Sequence, residues 1–498
     1  MSKYVYVCVL SVTLGARVSA AQSVQSQPPA EHQHGAQASA APGNSMTRDG
    51  SGTSWLPDAS PMYAMHWQKG AWQLMAHENL FVQYLHESGD RGASQSGSIN
   101  WFMGMAERSA GAGRLRLRGM FSAEPWTVRG CGYPDVLQSG EQCDGEKIHD
   151  RQHPHDLFME IAASYDAPVK GPVRWQVYGG PAGEPALGPV AFPHRVSAMP
   201  NPLAPITHHW LDATHITFGV VTGAVYGSRW KAEASAFNGR EPDENRTDVD
   251  LGALDSVSGR VSLMATSRLA LQVSSGRLTE AEASETGGPG IDVTRITASG
   301  IYHRDLGHGS IWANTVAWGR NSEPGHSSHA LLIESSVTRD DRDTWFGRFE
   351  IVGKSAHDLD VPGEDLFAVR KVQGGYTRYL DARNGFKPGL GFSVSSGLVP
   401  ESLKRGYGGR ANVGFGVFAT LRPAPMVHAT AASAGAAAHV MIQTALDPSK
   451  LSCVPAIGPG AAANATYQGT TYYFCSVLER DEFLANPAMS LAMMPPKR

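Results

Sequence analysis

The sequence predicts an all-β protein, a transmembrane antiparallel barrel of about 14–16 strands, and three observations carry that prediction. The first is the stretch His215 to Asn238, HITFGVVTGAVYGSRWKAEASAFN, in which Trp230, Ala232, Ala234 and Ala236 alternate with Arg229, Lys231, Glu233 and Ser235. In an extended strand that two-residue period puts the apolar groups on one face and the charges on the other. The second is repetition: the pattern returns from Trp72 to Leu421 with no amphipathic helix between. This is the mark of a sheet closed on itself with its outside in lipid, because an open edge would leave backbone groups unpaired in hydrocarbon. The third is that no apolar run of about 18 residues follows the amino-terminal leader, which excludes an ordinary helical span. A mean hydropathy of −0.25 fits such a barrel, whose apolar residues occupy every second strand position.

Composition narrows the function classes. A formal charge of −4 with no basic face or tail excludes a broadly nucleic-acid-binding chain. The 55 glycines suit many strands joined by turns. No glycine-rich nucleotide motif stands between a strand and a helix.

Taken in order, residues 1–20 read as an export signal: Lys3, the apolar segment Tyr4 to Leu14, and Val18-Ser19-Ala20 as a small-residue cleavage site, with Cys8 leaving in the leader. The bland alternative is a short buried strand. Residues 21–54, rich in Ala, Gln, Ser, Gly and Pro, are expected to be a flexible periplasmic segment; His32 and His34 within it bind metal weakly or are incidental. Residues 55–422 are assigned to the barrel. Its first part, Trp55 to Tyr84, gathers Met62, Met65, His66, Met75 and His77. Thioethers with imidazoles suit Cu(I), while the plain alternative is that methionine fills gaps in an apolar surface.

Strands are expected at 72–84, 98–108, 113–122, 157–166, 173–180, 211–225, 228–238, 257–265, 268–277, 293–303, 309–319, 328–338, 343–352, 366–380, 388–398 and 411–421. Arg114, Arg116 and Arg118 alternate with Leu115 and Leu117, so a cationic row faces the lumen and leucines face lipid. That row either concentrates anions or pairs with lumen carboxylates such as Glu160 or Glu233. The closing strand, Asn412 to Leu421, turns Val413, Phe415, Val417 and Ala419 to lipid.

Two insertions interrupt the strands. Cys131 to Asp156 holds a Cys pair twelve residues apart (143 − 131), which in an oxidising compartment forms a loop disulfide. His149, Asp150, His153, His155 and Asp156 follow, as donors for one metal or as a hydrogen-bonded plug. The second insertion, residues 181 to 210, is Pro-rich and carries His194, Met199, His208 and His209; if both insertions fold into one lumen, their histidines meet.

The segment Trp55 to Tyr84 resembles the Met- and His-rich stretch that precedes the barrel in outer-membrane copper-resistance proteins, with Met-x-x-Met-His in place of long Met repeats. After an Ala-rich linker at 423–446, residues 447–490 resemble the YHS domain, a small metal-associated module. The resemblance rests on Asp447-Pro448, Cys453, Tyr467, Gly469, Tyr472-Tyr473-Phe474-Cys475-Ser476, Phe483 and Asn486-Pro487. Where many members have a further Cys, this chain has Glu479. The resemblance implies a soft-metal site at Cys453 and Cys475; two thiols there hold linear Cu(I) or oxidise to a disulfide.

His308-Gly309-Ser310 and His326-Ser327-Ser328 match the His-x-Ser pairs of membrane-barrel lipases, but no acidic or oxyanion partner stands out, and the chain is read as non-enzymatic. The leading reading is a barrel in the bacterial outer membrane, both termini periplasmic, that handles copper, or silver or zinc. The alternative is a porin-like channel for small anions with the C-terminal module as a docking or folding unit. A third makes the barrel a scaffold for a metal-efflux or periplasmic metal-carrier partner. Outer-membrane lipid is the other expected partner, and no nucleic acid is.

Overall fold

The computed structural model describes residues 48–282, 290–425, 443–444, 463–467 and 470–474. The leader, His32, His34, Cys453 and Cys475 lie outside the described residues, as does most of the linker and of the YHS-like segment. From the amino end, the strands are β1 (Met65–Lys69), β2 (Trp72–Glu87), β3 (Ser94–Ala110), β4 (Gly113–Phe121), β5 (Tyr133–Cys143), β6 (Glu146–Gln152), β7 (Phe158–Lys170), β8 (Val173–Gly183), β9 (Thr217–Tyr226) and β10 (Trp230–Phe237). They continue with β11 (Ser256–Thr266), β12 (Leu269–Glu282), β13 (Ile291–Gly307), β14 (Ser310–Glu323), β15 (His326–Arg339), β16 (Asp343–Ser355), β17 (Leu366–Tyr379), β18 (Phe386–Leu398) and β19 (Ala411–Pro423).

β2, β3, β4 and β7 to β19 form a closed antiparallel barrel of sixteen strands. Closure is made by β19 on β2, from Gly414 opposite Glu87 to Leu421 opposite Leu80. β1 pairs with the first turnward residues of β2 and occupies the place beside it that β19 leaves empty. β5 and β6 pair only with each other, as a hairpin inside the barrel. Separately, Gln443–Thr444, Ala463–Tyr467 and Thr470–Phe474 form a small antiparallel sheet.

Alternation decides which side chains enter the lumen. Along β19, Val413, Phe415 and Val417 are exposed outward, while Asn412 and Thr420 are buried inward. On the outside, Tyr165 pairs with Trp175, Tyr302 with Trp312 and Trp345 with Tyr376, their ring centroids 5.5, 6.0 and 5.4 Å apart. All three pairs sit near the short-turn end of the barrel, as an interfacial aromatic belt requires. No helix among the described residues is long and apolar enough to cross a membrane. The wall is therefore the membrane-spanning element, of the kind found in bacterial outer membranes.

The turns at the end where β2 begins and β19 finishes are short, such as Gly111-Ala112, Gly171-Pro172 and His308-Gly309. Several connections at the opposite end are long, those from β4 to β7 and from β8 to β9 above all, although β14 passes to β15 there in two residues. Every residue from 182 to 212 is buried except Met199, which is half-buried. A connection this polar is buried only because it runs through the barrel, where wall side chains satisfy its backbone. The Ala186 N–H donates to Ser235 Oγ (2.7 Å), the Gly188 N–H to Ser274 Oγ (2.8 Å), Asn201 Nδ2 to Gln373 Oε1 (2.8 Å) and Trp210 Nε1 to Ser328 Oγ (2.7 Å). These contacts reach β10, β12, β17 and β15, so the segment is a plug anchored around much of the wall.

Three boundaries differ from the sequence expectation. Residues 48–54, expected to be flexible, are packed in the lumen: Asp49 pairs with Arg116, and the Gly50 and Gly52 carbonyls accept from Arg118. The strand expected from 211 begins only at Thr217. A short helix, α2 (His208–Leu211), and a 3-10 turn at Ala213–His215 precede it. The cause is Asp212, whose carboxylate accepts from the Phe192 N–H, Arg195 and His208 and so holds the chain off the wall. Third, the Met/His segment that the copper-resistance resemblance places before the barrel runs into it: Met75 and His77 belong to wall strand β2, within the strand expected at 72–84.

Candidate metal centres in the barrel lumen

The Arg114, Arg116 and Arg118 row does face inward, and each member is paired. Arg114 meets Glu107 (3.4 Å) and Asp166 (3.2 Å), Arg116 meets Glu107 (2.5 Å) and Asp49, and Arg118 meets Glu160 (3.1 Å). Of the two roles expected for the row, the geometry gives pairing. Glu233, the other carboxylate expected near it, instead serves Arg260 (3.0 Å) and Lys231 (3.2 Å).

The first candidate centre is a cavity of about 50 Å3 between the wall and the inward-folded segments. It is lined by Met62, Met75, Met103, Met105, Met199, His77 and His194, among others. The two-residue period on β2 and β3 aims Met75, His77, Met103 and Met105 at one place, with Met75 facing Met105 and His77 facing Met103 across the ladder. Met75, Met103 and Met105 are buried. His77 Nε2 lies 2.9 Å from Met103 Sδ, and its ring centroid is 5.5 Å from that of His194. His66 Nε2 lies 2.9 Å from Met62 Sδ. Met65 and His66 are not in the cavity lining. Sequence reasoning missed Met103 and Met105, although WFMGMAE places Trp101, Met103, Met105 and Glu107 on one face of a strand.

The second centre comes from the two insertions, whose histidines meet in part. His153, His208 and His209 each bring one ring nitrogen within 4.8 Å of the others'. The rest of the expected His/Asp group is dispersed. His149 Nδ1 faces the Asp358 carbonyl (3.1 Å) at the wide mouth, and Asp150 accepts from the Leu137 N–H (2.8 Å). His155 is held by Glu124 of the short helix α1 (Glu124–Thr127), with Nδ1 2.9 Å from Oε1. Asp156 lies 3.6 Å from Arg246. The reason is local: β6 alternates its side chains, Asp150 adopts a left-handed φ of 55°, and Pro154 follows, so neighbouring donors leave in different directions. Cys131 and Cys143 are joined by a disulfide, with Cα atoms 5.6 Å apart, which ties the approach to β5 to the last residue of that strand, beside the β5–β6 turn.

Burial sets the protonation of these imidazoles. It lowers His209 to about 3 and His208 to about 4, and carries His153, His194 and His215 well below the usual range, with nearby cations or imidazoles adding to the effect. Burial acts the same way on His155, but the Glu124 carboxylate outweighs it and holds the ring above its ordinary value. The cluster at His153, His208 and His209 is thus neutral at pH 7, the form that binds metal. Above it opens a vestibule of about 440 Å3 lined by Glu141, Glu146, Glu241, Glu282, Asp360, Lys147, His149 and His357.

The serines of both His-x-Ser pairs accept hydrogen bonds from groups outside the pair. Ser310 Oγ accepts from the Asp340 N–H, and Ser328 Oγ accepts from Trp210, while His326 lies beside Glu323.

No protein-family model matches the chain, and no curated protein matches it. Among solved structures, the chain is similar to Salmonella typhi OmpF in complex with daunomycin, at 10% identity and a TM-score of 0.43 over 72% of this chain and 100% of that one. It is similar to an anion-selective porin from Comamonas acidovorans, at 9% identity and a TM-score of 0.43 over 70% and 99%. Acinetobacter baumannii OccAB1 follows at 9% identity and a TM-score of 0.37 over 71% and 97%. These are likenesses of architecture, and what this barrel carries has to be read from its own lumen.

Proposed function

We propose that this protein is a non-enzymatic, loop-filled outer-membrane barrel that handles a soft metal, copper(I) or silver(I), with its termini on the periplasmic side. The single observation that carries the reading is the Met/His cavity. Methionine alone fills gaps in many cores, but gap filling does not account for two imidazoles turned into the same small space as five thioethers. That donor set is the one soft monovalent ions select. The short-turn end would face the periplasm, which would put the YHS-like segment, with Cys453 and Cys475, where it meets a periplasmic metal carrier.

The test is metal analysis of the full chain purified from outer membranes after growth with copper or silver. One soft ion per barrel is expected, lost in Met103→Leu/Met105→Leu, a near-isosteric change that spares the wall, and retained in Cys453→Ser/Cys475→Ser. Loss in the Cys variant alone would move the site to the C-terminal segment.

A second reading, a channel for small anions, is favoured by the porin-like fold and opposed by the pairing of the Arg row. Single-channel recording separates the two: an open, anion-selective conductance in the wild type, with no bound metal, would replace the metal reading.

A further inference from the structure

The three-imidazole cluster differs from the Met/His cavity in residues and in chemistry. Each ring has its Nδ1 engaged by oxygen. His153 Nδ1 lies 3.1 Å from the Pro154 carbonyl, His208 Nδ1 lies 2.9 Å from Asp212 Oδ1, and His209 Nδ1 lies 3.2 Å from Glu241 Oε1. Oxygen acceptors at Nδ1 fix the proton there and leave the Nε2 lone pair outward, the arrangement that carboxylates and carbonyls impose on metal-binding histidines. The Nε2 atoms of His153 and His209 are buried and have no hydrogen-bond partner. Leaving such groups unmatched is costly, and here two of them belong to rings that each bring a nitrogen within 4.8 Å of the others' and of the third imidazole's, His208.

We propose that His153, His208 and His209 form a three-nitrogen site for a divalent first-row transition cation, copper(II) or zinc(II), at the inner end of the acidic vestibule. A cation at about 2.1 Å from each nitrogen needs them about 3.4 Å apart, so the rings close on it by small side-chain rotations. Three ligands leave a fourth place for water or an arriving donor. Access runs through the small cavity lined by His209, Glu141 and Glu241, which shares both carboxylates with the vestibule. Carboxylates on that path raise the local concentration of cations. The site stands independently of the Met/His cavity, because imidazole takes borderline divalent ions and thioether takes soft monovalent ones.

The test uses the full-length barrel in detergent, carrying His32→Gln/His34→Gln to remove the N-terminal pair, with Co2+ as the probe. One equivalent is expected to bind with the intense visible absorption of a tetrahedral centre, and Zn2+ should displace it. His153→Gln and His209→Gln should each weaken Co2+ binding more than tenfold, whereas Met103→Leu/Met105→Leu should leave it unchanged. Co2+ binding that persists in the histidine variants, or no tetrahedral spectrum in the parent, overturns the site. Should a histidine variant fail to fold, judged by loss of the heat-modifiable band of a closed barrel, the Cu2+ electron paramagnetic resonance of the parent decides. Splitting from three imidazole nitrogens supports the site, and an oxygen-only or sulfur signature overturns it. Failure of soft-metal retention with Co2+ binding intact would remove the proposed function and leave this site standing.

Discussion

Arg195 shows what the lumen demands of a single residue. It is fully buried, donating to Asp212 Oδ2 (2.6 Å), to Glu334 Oε2 (2.8 Å) and to the Val190 carbonyl (2.9 Å). Glu334 keeps a second cation in Arg348 (2.9 Å), but Asp212 would be left with the Phe192 N–H and His208 and no guanidinium. Arg195→Met is therefore expected to destabilise the folded barrel by about 3–5 kcal/mol, the cost of stranding a buried carboxylate. The readout is the urea midpoint followed by tryptophan fluorescence, and a loss below about 1 kcal/mol would mean that water reaches the pair. Arg195→Met/Asp212→Leu should recover part of the loss, since removing both charges is cheaper than removing one. The inward direction of Arg114, Arg116 and Arg118 was legible from their spacing. Of their partners Glu160, which meets Arg118, was legible too, but Asp49 was not, because it reaches Arg116 from a segment that composition alone marks as flexible.

At the scale of elements, close approach decides whether α2 delivers its two histidines. Gly319 of β14 lies so near the plug that a Cβ there would stand 2.3 Å from the Trp210 carbonyl oxygen. Gly140 of β5, at a φ of 127°, would bring a Cβ within 2.2 Å of the His209 ring. Both are positions where only glycine lets two elements touch. Gly319→Val is expected to lift α2 from the wall and weaken Co2+ binding more than tenfold with every ligand intact, while the barrel keeps its heat-modifiable mobility. Unchanged affinity would show that α2 is held by the plug alone. The wall strands were legible element by element because each alternates independently and lipid enforces the period. α2 was not, because the apolar residues around Leu211 continue the strand pattern that follows, and the contacts of Asp212 that break it come from residues far along the chain.

The whole molecule combines a wall that any outer-membrane barrel needs with a filling particular to this chain. Two changes separate them. Val261, mid-strand on β11 and exposed to lipid, should cost about 2–4 kcal/mol as Val261→Arg, measured by urea titration of folding into vesicles, while Val261→Leu should be neutral. Replacing residues 186–206 by a Gly-Ser linker should leave the wall folded and raise single-channel conductance above that of the parent; equal conductance would show that the plug does not set the path. The sequence by itself determined the wall to within two strands: about 14–16 alternating stretches, the two faces of each, and an inward cationic row, because a two-residue period is a property of a strand alone. Only the tertiary structure decided the filling. His153 and His208 are 55 positions apart (208 − 153) in connections with no shared period, and they meet because closure of the barrel leaves both one polar interior in which to satisfy their backbones.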